Sequence, residues 1–197
     1  MVAKKMNKIF LSASIPLAER DKLFFDTADI IAIRDSVRAL ASVVIPKANL
    51  VWGGHPSINP LIRYVLERMS ANVKEHVTLY LSRFFEKQFP EDVMDFENVI
   101  LTDAAESREQ SLLKMRRRMF EENKFKAAFF VGGMEGVIDE FELFKEFHPD
   151  ALCIPVASTG AAAGVLYNNY QINQNIRLLD DYAYMALFRD LLGDIIK

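Results

Sequence analysis

The sequence predicts an α/β fold in which a mainly parallel sheet carries helices on both faces. Short apolar runs of strand length alternate with longer stretches of helical periodicity, the pattern of βαβ units. Four of the strand-like runs end in small or glycine-rich residues, as strands do where they turn into helices at a sheet edge. The chain also lacks internal repeats, low-complexity tracts and Gly/Pro/Ser-rich linkers. Its 197 residues are therefore expected to form one Rossmann-like domain spanning 1–197.

Taken in order, residues 9–14 read as a short buried strand ending in small polar residues. Residues 22–45 carry apolar positions at helical spacing and stop before Pro46, which cannot continue a helix. Residues 49–52 read as the second strand, followed by the turn Gly53-Gly54-His55-Pro56-Ser57 and a helix over 58–69. Residues 77–81 and 98–102 are further apolar strands. The aromatic and charged segment between them, 82–96, shows no period and reads as a surface excursion. A strongly charged helix is predicted over 107–124, a strand over 127–131, a helix over 137–147 and a strand over 152–156. The loop Ala157-Ser158-Thr159-Gly160 then leads into helices over 161–170 and 178–196. The last is apolar on one face and is expected to pack on the domain or at a subunit interface.

Composition narrows the function. A net charge of −3 gives no electrostatic footprint for nucleic acid or an anionic membrane, so neither is expected as a partner. The single cysteine, Cys153, lies in an apolar run and reads as a buried structural thiol. The basic run at residues 1–8 leads into an apolar stretch too short for a signal peptide or a membrane span, so a cytoplasmic location is expected. His55, His76 and His148 are scattered, and no metal site or cofactor is expected. Neither a P-loop nor a GxSxG elbow is present, and the first strand lacks GxGxxG.

The four strand ends are the candidate site: Ser12-Ala13-Ser14, Gly53 to Ser57, Gly132-Gly133-Met134-Glu135-Gly136, and Ser158-Thr159-Gly160. Parallel strands point the same way, so these ends converge on one edge. Their hydroxyls and backbone N–H groups suit phosphate or ribose oxygens. His55 points into that pocket or is a solvated turn residue. The basic run Arg116-Arg117-Arg118 is a solvated helix face unless one arginine reaches the sheet edge. Glu140 is a first-turn acid complementing the helix dipole or the partner of such an arginine. An arginine–glutamate pair there would hold phosphate and ribose, or stabilise a developing oxocarbenium ion.

These motifs resemble those of the SLOG superfamily, named for the SMF/DprA and Lonely Guy proteins. The similarity runs from the first strand to about Gly164. Lonely Guy enzymes carry an Arg-Lys pair in a helix, then Pro-Gly-Gly-x-Gly-Thr and a glutamate. Here Arg116-Arg117 precedes Gly132 by sixteen residues, and Glu140 stands in the place of the acid. The resemblance implies that Arg116 and Glu140 would be catalytic if the chain is a phosphoribohydrolase cleaving the base–ribose bond of a nucleoside monophosphate. Val131 replaces the proline, the Gly-Thr step is absent and the glycine spacing is one residue longer. Those departures are similar to the sensor branches, which bind NAD-derived or other nucleotide signals. The expectation is thus binding of a nucleotide-derived small molecule, ADP-ribose- or NAD-related, as a sensor in signalling or defence. The alternative is N-glycosidase activity, and a third reading is an assembly protein with purely structural turns. A homo-oligomer, dimer or tetramer, is expected.

Overall fold

The computed structural model describes residues 6–90, 93 and 96–196. The start of the basic N-terminal run and part of segment 82–96 lie outside those residues. Six strands form one all-parallel sheet: β1 (Lys8–Ser14), β2 (Asn49–Trp52), β3 (Val77–Ser82), β4 (Val99–Thr102), β5 (Phe125–Gly132) and β6 (Leu152–Val156). Their order is β4-β3-β2-β1-β5-β6. The chain steps outward from β1 to β4, then returns to place β5 on the other side of β1. The reversal point between β1 and β5 is where open α/β sheets leave a crevice for ligands.

Strand alternation sorts the core into two layers. Ile9 and Leu11 of β1, with Ala127, Phe129 and Val131 of β5, face α2 (Ile30–Val44), α3 (Asn59–Leu66) and α8 (Tyr184–Leu192). Phe10, Ala128 and Phe130 face the opposite layer, formed by α4 (Arg108–Glu121), α5 (Glu135–Phe147) and α6 (Ala161–Tyr170). That layer is rich in aromatic contacts: Phe10 meets Phe120 edge-on at 5.0 Å and stacks on Phe144 at 5.5 Å. Each fully buried phenylalanine contributes about 1.5–3 kcal/mol of burial. Cys153 is buried in the same layer, and burial pushes its thiol up to about 11, as a structural cysteine requires.

Four expected elements differ in the structure. The helix expected over 22–45 is two, α1 (Lys22–Thr27) and α2, because Ala28 is extended and the Asp29 carboxylate caps α2 by accepting from Ala32 N–H at 2.9 Å. The helix expected over 178–196 breaks likewise into α7 (Arg177–Asp180) and α8, where Asp181 accepts from Ala183 N–H at 2.8 Å. Helix α5 begins at Glu135 rather than 137, which makes Glu135 its first-turn acid and moves Glu140 into the second turn. Segment 82–96 is not a simple surface excursion. It contains a 3-10 turn (Arg83–Gln88), and Val93 and Phe96 are buried, with Phe96 edge-on to Trp52 at 5.2 Å.

Candidate functional site

Strand β1 ends in alternating small residues. Ser12 lies one strand period beyond Phe10 and so faces the α4–α5 layer. Its hydroxyl donates to Glu140 Oε2 at 2.5 Å. Gly136 and Glu140 are four residues apart and share one face of α5. That face meets Arg116 of α4, whose Nε donates to Glu140 Oε1 at 3.1 Å and Nη2 to the Gly136 carbonyl at 3.1 Å. Nη1 lies 3.4 Å from Asp139 Oδ2. The pair is largely shielded, the side chains of Arg116 and Glu140 being 11% and 14% exposed.

Two glycines border the pair closely. A Cβ on Gly136 would stand 3.1 Å from Arg116 Nη2, and one on Gly53 would stand 3.3 Å from Met115 Cε and 3.7 Å from Glu140 Oε1. The Glu140 carboxylate therefore reaches from α5 to the end of β2, with each oxygen hydrogen-bonded.

A cavity of about 830 Å³ opens over this cluster, within the range of small-molecule sites. It is lined by Ala13, Ser14, Gly53, Gly54, His55, Ser57, Arg116, Met134, Gly136 and Glu140. The structure thus brings together residues from the ends of β1, β2 and β5. The end of β6 does not reach the lining. Ser158 Oγ pairs with the Tyr184 hydroxyl at 2.9 Å, both buried, and Thr159 Oγ1 accepts from Gly132 N–H at 2.8 Å. Gly160 is pressed against the carbonyl of Thr27.

Ser12, Gly132, Gly133, Glu135 and Arg117 also lie outside the lining. Arg117 is exposed, its guanidinium 5.8 Å over the Phe147 ring. The glycine turn is not an open anion cradle at its first two residues. Gly132 N–H goes to Thr159, and Gly133 N–H donates to the Ser14 carbonyl at 2.9 Å. Both glycines have positive φ, 54° and 84°, and a Cβ on Gly133 would stand 2.2 Å from Val137 Cγ2. The turn locks β5 against β1 and so aims α5 at Arg116.

The cavity also takes residues that the sequence alone did not mark: Arg20, Trp52, Leu81, Ser82, Phe85, Phe89, Arg108 and Met115. Ser82 ends β3, so its strand polarity was a signal available from the start. The phenylalanines lie in an aperiodic stretch that offered none.

His55 is a lining residue in a defined tautomer. The Ser57 hydroxyl accepts from Ile15 N–H at 3.1 Å and lies 2.8 Å from His55 Nδ1, which also accepts from Ser57 N–H at 3.3 Å. Nδ1 is thus an acceptor and the ring proton sits on Nε2. Burial, then the nearby Arg20 guanidinium, push the imidazole down to about 4.

Above pH 6.5 neither the folded nor the unfolded chain protonates His55, and no penalty arises. Between 6.5 and 4 only the unfolded chain takes the proton, so stability falls with pH, by about 3 kcal/mol at most. Urea unfolding from pH 7 to 4 is expected to show a shallower decline for His55→Gln than for the wild type. Parallel curves would refute this.

Among the described residues no three His, Cys, Asp or Glu side chains come together as metal ligands, and no helix is long and apolar enough to cross a membrane. The family model described as the SLOG cluster3 family matches residues 23–192 of the chain. No curated protein matches it.

Proposed function

The chain belongs to the SLOG cluster3 family, and from that premise we propose that it binds a nucleotide-derived small molecule, related to ADP-ribose or NAD, as a sensor. The observation that carries this reading is Glu140, held by Arg116 and Ser12 inside a cavity at the carboxyl ends of β1 and β2. A carboxylate whose oxygens each hold one protein donor still has lone pairs for ribose hydroxyls. Arg116 commits three of its five N–H donors to Glu140, Asp139 and Gly136, which leaves two for a phosphate oxygen. His55 Nε2–H and the Ser14 hydroxyl supply neutral donors from two more lining residues.

Trp52 provides the test, because it is the chain's sole tryptophan and it lines the cavity. Titration with AMP, NAD and ADP-ribose is expected to change its fluorescence saturably, with matching calorimetric heats. No binding by any of the three removes the reading.

The same carboxylate favours a second reading. Glu140 could stabilise a ribosyl cation while Arg116 holds the phosphate, as in a nucleotide N-glycosidase. Chromatography after incubation with AMP or NAD would then show free base, and Glu140→Ala would abolish it. Unchanged release by that variant rules out the role given to Glu140.

A further inference from the structure

We propose that Phe85 and Phe89 form the wall against which a ligand's base stacks, so that the site takes a base-bearing nucleotide and discriminates against a base-free sugar phosphate. This rests on the nucleotide reading above and adds to it the orientation of the ligand.

Most phenylalanines of the core are fully enclosed, among them Phe10, Phe129, Phe130 and Phe144. Phe85 and Phe89 are instead partly exposed, and both line the cavity. Rings left open to a cavity forgo burial that a ligand's flat apolar face can supply.

The turn that carries Phe85 and ends at Phe89 is held in shape. Ser82 Oγ accepts from Phe84 N–H at 3.3 Å, Phe89 N–H donates to the Glu86 carbonyl at 3.3 Å, and Arg83 pairs with Glu86 at 2.8 Å. Phe84 sets its ring edge-on to Phe85 at 5.1 Å. These contacts hold Phe85 within the turn and Phe89 at its end.

The same cavity is also lined by the apolar Leu81, Val93 and Met115, and by the exposed residue Gln88, whose amide is able to meet polar atoms on a base edge. Polar groups for ribose and phosphate come from the Glu140–Arg116 cluster and the His55 turn. One cavity thus offers an aromatic apolar wall and a polar floor, the division of chemistry within a nucleotide. Stacking tolerates any base, because each presents a π face.

Calorimetry on the full chain with AMP, ADP-ribose and ribose 5-phosphate tests the inference. The wild type is expected to bind AMP about tenfold or more tighter than ribose 5-phosphate. In Phe85→Ala/Phe89→Ala that preference should vanish while ribose 5-phosphate binding is unchanged. Phe85→Leu/Phe89→Leu keeps the apolar volume, loses the rings, and should lose most of the preference. It decides the matter if the alanine variant fails to fold by circular dichroism. Equal wild-type affinities for AMP and ribose 5-phosphate, or a preference that survives the loss of both rings, overturns the wall and leaves the nucleotide reading standing. Binding of none of the three ligands overturns that reading itself.

Discussion

Gly160→Ala is expected to destabilise the fold by about 3 kcal/mol or more, a large share of a small domain's stability. Gly160 has φ 67° and ψ −155°, a combination that side chains rarely tolerate. A Cβ there would stand 1.9 Å from the Thr27 carbonyl oxygen and 2.9 Å from its carbon. These are backbone atoms, and they cannot swing aside. Asp29 N–H donates to the Thr159 carbonyl at 3.1 Å, which clamps the α1–α2 break onto this loop. The comparison is Gly164→Ala in α6, where nothing lies within 4 Å and helix propensity favours alanine by about 0.5–1 kcal/mol. Urea midpoints should therefore move in opposite directions for the two variants. Equal shifts would show that the contact at Thr27 does not matter.

Arg116→Met is expected to cost about 2–4 kcal/mol, because it leaves the shielded Glu140 carboxylate with Ser12 as its remaining partner. Glu140→Gln should cost less, since Arg116 keeps Asp139 and the Gly136 carbonyl. The double variant should recover much of the Arg116→Met loss, because no buried charge is then stranded. A double-mutant cycle in urea measures this coupling, and strictly additive costs would disprove it. On the proposed nucleotide reading all three variants lose ligand binding, which calorimetry reads separately from stability.

The sheet was legible because parallel strands buried on both faces appear as short continuous apolar runs, and all six did. The breaks at Ala28 and Asp181 were not, because apolar spacing continues through them and the signals that stop the helices are single aspartates. The cavity lining was legible where glycine or a hydroxyl ends a strand on the cavity side, as at Ser14 and Gly53. The β6 loop has the same composition, yet its groups are consumed by contacts distant in sequence. Thr159 serves Gly132, and Ser158 serves Tyr184. Local composition cannot distinguish a hydroxyl waiting for a ligand from one already bonded across the fold. Phe85 and Phe89 escaped for a related reason: a short 3-10 turn leaves no repeat to read.

The central position of β1 has a consequence for biosynthesis. A ribosome releases β1 first, and β2, β3 and β4 can line up beside it as they emerge. Its other edge, and the Ser12 hydroxyl, must wait for β5 and for a glutamate 128 residues downstream. Throughout that interval the edge of β1 that β5 will pair, on a strand carrying Ile9, Phe10 and Leu11, has no strand partner. An unpaired strand edge is a template for wrong pairing, so the length of chain between β1 and β5 sets how long that hazard lasts.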